Sequence, residues 1–247
     1  MPFESYFWLL ISPNYNYLII IPSCYLKVMR IELVGGMGIG KTTLCHVLTE
    51  IGYHCILEDL GENPFLAKMY DDPDGFRFPS QMWFILSKYA ELQAELKTNE
   101  INVIDQSVLN VHAYTNLLFR GNKHAKEWAL INGLFDYIED KFGVPDLQIY
   151  LKASPEIQMK RIHARNRDYE LDVNIDYLTD LKDEIELLID RDRAQGHHII
   201  EIDTDDIFLA DHHVFAAQLA DDIAKRLKFC INPRQEINET ESIKNYG

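Results

Sequence analysis

Cysteine is scarce in this chain. Cys24, Cys45, Cys55 and Cys230 lie far apart and form no C-x-x-C pair, which argues against a zinc knuckle or a disulfide-stapled framework and fits a reducing, cytoplasmic setting. Long apolar runs are missing too. The stretches Phe7 to Ile11 and Tyr17 to Ile21 are interrupted by Ser12, Pro13, Asn14, Asn16 and Pro22, well short of the roughly 18 residues a membrane helix needs. No basic segment precedes them, so a signal peptide is not predicted either. Positive charge is in short supply: 24 lysines and arginines face 39 aspartates and glutamates, a net charge of −15 that repels a nucleic-acid backbone. No internal repeat and no glycine- or serine-rich linker divides the chain.

What remains is an ordinary globular composition, 47% hydrophobic and 26% charged over 247 residues. From Arg30 onward short apolar strands alternate with longer helical patterns, the signature of a parallel sheet wound with helices. Strands are predicted at 30–35, 54–58, 101–105, 146–151 and 198–203. Helices are predicted at 41–51, 63–70, 77–99, 108–120, 123–141, 154–165, 174–195 and 209–227. The expected organisation is an N-terminal extension over 1–28, one α/β domain over 29–230, and a polar tail over 231–247. The acid-rich segment from Asp168 to Asp192 reads as a solvated helix face. His197-His198 and His212-His213 have no cysteine at metal spacing and read as surface or capping residues.

Gly35-Gly36-Met37-Gly38-Ile39-Gly40-Lys41-Thr42 satisfies G-x-x-x-x-G-K-[ST] and falls after a strand and before a helix. The glycines let the backbone curl so that its N–H groups face phosphates, and the following helix adds its positive end. Lys41 is expected to reach the β- and γ-phosphates and Thr42 to hold Mg²⁺, with Thr43 completing the ATP-binding segment. In an open parallel sheet the residues that close the strands are the ones that meet a ligand. Two of them are acids: Asp105, after Val103-Ile104, has the Walker-B arrangement of a metal-holding aspartate, and Glu58, after Cys55-Ile56-Leu57, is placed to accept a proton from an attacking hydroxyl. A helix-capping role is the alternative for each.

Further motifs follow in order: Glu58 with Asn63-Pro64-Phe65-Leu66, then Phe78 to Phe84, Asp105-Gln106-Ser107, and Arg161-Ile162-His163-Ala164-Arg165-Asn166-Arg167. Together with the P-loop, from about Met29 to Lys228, they resemble the deoxynucleoside kinase family, in particular its bacterial deoxyadenosine/deoxyguanosine kinase branch. The resemblance implies a P-loop nucleoside-kinase fold with a five-stranded parallel sheet flanked by helices. It implies transfer of the γ-phosphate of ATP, with Mg²⁺, to the 5′-hydroxyl of a deoxynucleoside, by an enzyme that commonly forms homodimers. Residue by residue, Glu58 matches the general base, Gln81 the glutamine that pairs with the base edge, and Tyr70 with Glu170 the pair on the sugar 3′-hydroxyl. Trp83 and Phe84 are expected to pack in the core, although either lies close enough to Gln81 to line a base-stacking slot. Arg161, Arg165 and Arg167 match the lid arginines, a fork array suited to phosphoryl oxygens, although a basic helix end complementing the dipole has the same spacing.

Three positions depart from the family pattern. Gln106 stands where the family has an arginine on the 5′-oxygen and the transferred phosphate, which makes Arg77, Arg120 or Lys123 candidates to compensate. Lys88 and Val111 stand where the family has an arginine and an acid at the base edge. An enzyme is the leading expectation; the alternative is a nucleotide-binding accessory or regulatory protein of the same fold with reduced or lost turnover. A nucleoside monophosphate kinase is a third reading. The apolar helices 108–120 and 123–141 are the expected dimer interface.

Overall fold

Short apolar strands separated by helices bury both faces of a sheet when the sheet is parallel and helices cover each side. The computed structural model describes residues 6–10, 18–22, 28–58, 63–98, 100–121, 124–165, 173–205, 219, 222, 223 and 225, and it has this architecture. Among the described residues the first two strands, β1 (Tyr6–Leu10) and β2 (Leu18–Pro22), pair only with each other, antiparallel, Tyr6 opposite Pro22. The two apolar stretches at the start of the chain thus pair as strands, which the sequence does not announce.

The main sheet holds β3 (Met29–Val34), β4 (His54–Ile56), β5 (Ile101–Ile104), β6 (Leu147–Lys152) and β7 (Ile199–Asp203) in the order β4-β5-β3-β6-β7, every pair parallel. Around it run α1 (Lys41–Glu50), α2 (Leu66–Asp71), α3 (Pro73–Glu95), α4 (Val108–Leu118), α5 (Ala125–Phe142), α6 (Pro155–Arg165) and α7 (Ile175–Ala194). Alternate residues of each strand face opposite sides. Ile31, Leu33, Leu147, Ile149 and Leu151 pack on one side with Leu44 and Leu48 of α1. On the other side Ile56 and Ile104 pack with α3 and α5, and Val34 and Tyr150 with α4 and α7. Burial of each such aliphatic side chain contributes about 1.5–3 kcal/mol, which fixes the strand ends from which the site is built.

Element ends shift where polar side chains intervene. β4 stops at Ile56, whose carbonyl accepts from Asp105 N at 3.0 Å, so Glu58 lies beyond the strand. α3 begins at Pro73, ahead of the expected 77, because the Asp72 carboxylate accepts from Gly75 N and proline suits the first helical position. α2 begins at Leu66, after the expected 63, because Asn63 is used as a staple. Its Oδ1 accepts from Phe65 N at 2.9 Å, and its Nδ2 donates to the carbonyl and hydroxyl of Ser80. The helix expected at 209–227 lies largely outside the described residues, though Leu219 and Ile223 belong to the first core cluster.

Two expectations need correction. The acidic face of α7 is solvated at Asp176, Asp180, Asp183 and Asp190, but Glu184 and Asp192 are buried. They are held there by partners: Asn116 and Arg120 donate to Glu184, and Gln148 Nε2 donates to Asp192 at 2.7 Å. The helix at 108–120 is not an open interface, since α4 packs inside the protomer against α3, α5 and α7. No helix among the described residues is long and apolar enough to cross a membrane.

Candidate active site

The chain leaves β3 through Gly35 at φ +149° and Gly38 at φ +68°, conformations that favour glycine. A Cβ at Gly35 would lie 2.8 Å from the Leu151 carbonyl oxygen, and one at Gly38 would lie 2.9 Å from that of Gln158. Backbone and neighbours together thus exclude side chains from the curl that exposes N–H groups ahead of α1. Lys41 Nζ bridges the loop, donating to the carbonyls of Gly35 and Gly36, each at 2.8 Å. Burial pulls the Lys41 ammonium below its usual pKa while the Asp105 and Glu58 carboxylates oppose that shift. Gly35 N donates to Oδ1 of Asn110 at 3.0 Å, and Asn110 Nδ2 donates to Gln106 Oε1 at 2.8 Å. Gln106 is therefore tied, through Asn110, to the first residue of the loop.

Because β4, β5 and β3 are neighbours, their ends bring Glu58, Asp105 and the loop together. Thr42 Oγ1 donates to Asp105 Oδ2 at 2.7 Å, while Asp105 Oδ1 is buried with no hydrogen-bond partner among the described residues. A hydroxyl and a carboxylate with a spare oxygen form a hard-oxygen pair suited to Mg²⁺, which takes one or two protein ligands and keeps water and phosphate for the rest. Glu58 is half-buried, and burial raises its carboxyl pKa above the ordinary value; Lys88 and then Lys41 counter the rise, and Asp105 and Glu91 add to it.

Beside the loop, the site is lined by helices. On α3 the buried stripe is Gln81, Ile85, Lys88 and Leu92. Thr115 of α4 donates to Gln81 Oε1 at 3.1 Å, and Lys88 Nζ is held by both Glu91 oxygens at 2.7 and 2.9 Å. Trp83 and Phe84 meet edge to face, centroids 5.5 Å apart. Tyr114 of α4 lies within electrostatic reach of Tyr177 of α7, Glu58, Tyr70 of α2 and Arg165 of α6. Burial raises the phenol pKa of Tyr114 well above its usual value and also raises that of Tyr177. Tyr70 is 46% exposed, and Val111 is a core residue beside α3 and α5.

The arginines divide. Arg161 donates from Nη1 to Thr204 Oγ1 at 3.0 Å and to Ile39 O at 3.5 Å, and from Nη2 to Thr204 O. It braces the P-loop against the end of β7, a use its spacing from the other arginines had not revealed. Arg165, exposed at the end of α6, acts on both Lys41 and Tyr114. Arg167 and Glu170 lie outside the described residues. Arg77 is occupied by Pro73 O, Leu118 O and Asp74, and Arg120 by Asp180 and Glu184, so neither supplies charge at Gln106; Lys123 lies outside the described residues.

The family model for deoxynucleoside kinase matches residues 31–228. This chain belongs to that family. It is 29% identical over 158 residues to deoxyadenosine kinase of Dictyostelium discoideum, covering 63% of this chain and 64% of that protein. It is 28% identical over 163 residues to deoxyguanosine kinase of Bacillus subtilis, covering 64% of this chain and 77% of that one. The structure of deoxyadenosine kinase from M. mycoides with bound dCTP superimposes with a TM-score of 0.64 over 80% of this chain and 99% of that one, at 19% identity, which bears on the fold.

Within this deoxynucleoside kinase fold, several residues now found around the site had no sequence signal. Asn110, Tyr114, Thr115 and Tyr177 sit in helix interiors or first turns whose partners lie on other elements. A buried asparagine three residues after the helix-capping Ser107 was the one local hint: Asn110 N donates to Ser107 Oγ, while its side chain serves the loop.

Proposed function

We infer that this protein is an ATP-dependent deoxynucleoside kinase that phosphorylates the 5′-hydroxyl of its substrate. The observation that supports this most is the meeting, at the ends of three adjacent strands, of Lys41 on the loop, the Thr42–Asp105 pair, and the half-buried Glu58. Glu58 accepts the proton of the attacking hydroxyl, and Lys41 with the loop N–H groups orients the phosphates and stabilises charge on the transferring group. Thr42 and Asp105 hold Mg²⁺, which neutralises phosphate charge when bound. Arg165 and Arg167 cover the phosphates, while Tyr70, Gln81, Tyr114 and Glu170 position the nucleoside, with Trp83 or Phe84 against the base. Because Gln106 is engaged with Asn110, it reads as support for the loop rather than as the scar of a lost site.

Residues 29–230 form the catalytic domain in this reading, and the cytoplasm is its setting: Cys45 and Cys55 are free thiols, the second donating to the carbonyl of the first. The quaternary state is a homodimer through α3 and α5, where Leu86, Leu130 and Tyr137 are more than half exposed beside an apolar groove. The deciding experiment is phosphorylation of a panel of deoxynucleosides and ribonucleosides with Mg·ATP. Turnover of a deoxynucleoside that stops with EDTA and in Glu58→Gln is the expected result. Thermal stabilisation by ATP with no phosphorylated product from any nucleoside overturns it.

A further inference from the structure

Asn110 is a fully buried carboxamide in the first turn of α4, where its neighbours Leu109 and Val111 belong to the core. Burying an amide costs free energy unless its oxygen and its protons find partners. Oδ1 accepts from Gly35 N at 3.0 Å, and Nδ2 donates to Leu33 O at 3.3 Å and to Gln106 Oε1 at 2.8 Å. The main-chain N–H of Asn110 donates to Ser107 Oγ at 2.9 Å, which sets its place in the helix. The direction of the carboxamide is fixed as well: a main-chain N–H can only donate and a carbonyl only accept, so Oδ1 faces Gly35, Nδ2 faces Leu33, and Gln106 must turn its oxygen toward Asn110. The two main-chain groups flank Val34, the last residue of β3. Holding the carbonyl before a residue and the N–H after it is how one strand of a parallel pair grips its neighbour. β5 grips β3 as far as Ile104 opposite Glu32, a register that would set Gln106 opposite Val34, but by then the chain has turned toward α4.

We propose that Asn110 is a positioning residue for the phosphate loop: its carboxamide takes the place of the next residue of β5, gripping β3 where the strand opens into the curl, and Gln106 keeps the amide the right way round. Gly35 is then held on both sides, its N–H by Asn110 and its carbonyl by Lys41. The two holds differ in what nucleotide does to them, a step that rests on the function proposed above. Lys41 turns its protons to the β- and γ-phosphates and releases the carbonyls, whereas the Gly35 N–H is already spent on Asn110, so the strand end stays set while the loop is loaded. Glutamine at 106 suits this use. An arginine has five donors and no acceptor and would leave Asn110 Nδ2 one partner short.

The test is hydrogen exchange of the Gly35 N–H by NMR, with the Mg·ATP dissociation constant measured by calorimetry on the same proteins. Labelling valine with carbon-13 at the carbonyl and glycine with nitrogen-15 assigns the signal, because Val-Gly occurs once in the chain, at Val34-Gly35. The variants are Asn110→Leu, Gln106→Met, and Leu118→Ala as a control that weakens the far end of the same helix. Asn110→Leu is expected to speed Gly35 exchange about tenfold relative to Gly133, in the middle of α5, and to weaken Mg·ATP about tenfold. Gln106→Met moves both in the same direction by less, and Leu118→Ala lowers the melting temperature while moving neither. Gly35 exchange that keeps step with Gly133 in Asn110→Leu, or an affinity lowered as much by Leu118→Ala as by Asn110→Leu, overturns the proposal. If Asn110→Leu does not fold, the same comparison in Gln106→Met decides. With Mg·ATP bound to the natural protein the Gly35 N–H stays protected, and exchange that quickens on binding also overturns the proposal. Exchange in the empty protein needs no nucleotide, so a chain that bound no Mg·ATP would overturn the proposed function and leave the grip of Asn110 on the strand end readable.

Discussion

In the proposed reading, the phosphate end and the nucleoside end of the site are made of different material. At the loop, contiguous backbone does the work: three glycines at positive φ, carbonyls that hold Lys41, and an N–H pinned by Asn110. At the proposed nucleoside end, Gln81, Lys88, Tyr70, Tyr114 and Tyr177 arrive on four different helices. Rigid backbone suits a ligand part that is the same in every substrate, whereas side chains on helix faces can be exchanged one at a time. The two ends are therefore expected to respond to mutation in different ways.

The largest effect is expected where the ends join. Glu58→Gln should lower kcat about 10²–10⁴-fold with melting temperature retained, measured by steady-state kinetics and calorimetry. Burial raises the Glu58 pKa, so its base form is lost on acidification earlier than for an ordinary carboxyl of 4.5; the acid limb of kcat/KM should begin above that value and vanish in the variant. Next, Lys41→Met should cost about 10²–10³-fold in kcat, by the same factor for every nucleoside offered; selective loss for one nucleoside would break the comparison. Gly35→Ala forces a Cβ toward Leu151 and a disfavoured φ, and should destabilise by about 1–3 kcal/mol, read as a fall in melting temperature. The smallest effect belongs to the other end. Gln81→Leu should reduce kcat/KM about tenfold for nucleosides that pair with the amide, leaving KM for ATP unchanged, and a changed order of preference across the panel would sharpen the contrast.

Legibility followed the same division. The loop could be read because its motif is made of consecutive residues, and the meeting of Asp105 and Glu58 near it because each follows an apolar strand of the parallel sheet, Asp105 directly after β5 and Glu58 two residues past the end of β4. All five strands of the main sheet were visible for a related reason: buried parallel strands are apolar runs. The antiparallel pair of β1 and β2 was not, since each strand is only five residues long. Asn110, Tyr114 and Tyr177 were illegible because nothing near them in sequence says what faces them across the fold. Arg161 shows the limit of spacing: three arginines close together look alike along the chain, yet the first donates to the carbonyls of Ile39 and Thr204.

That brace has a consequence for how the protein is born. The loop is encoded early, but Thr204 reaches Ile39 across 165 positions and Arg161 across 122. During synthesis from the N-terminus, a chain that has emerged only as far as α5 carries the complete motif without its clamp. Contacts so distant in sequence form late, so the nucleotide cradle acquires its final support only when β7 has been translated and has paired with β6.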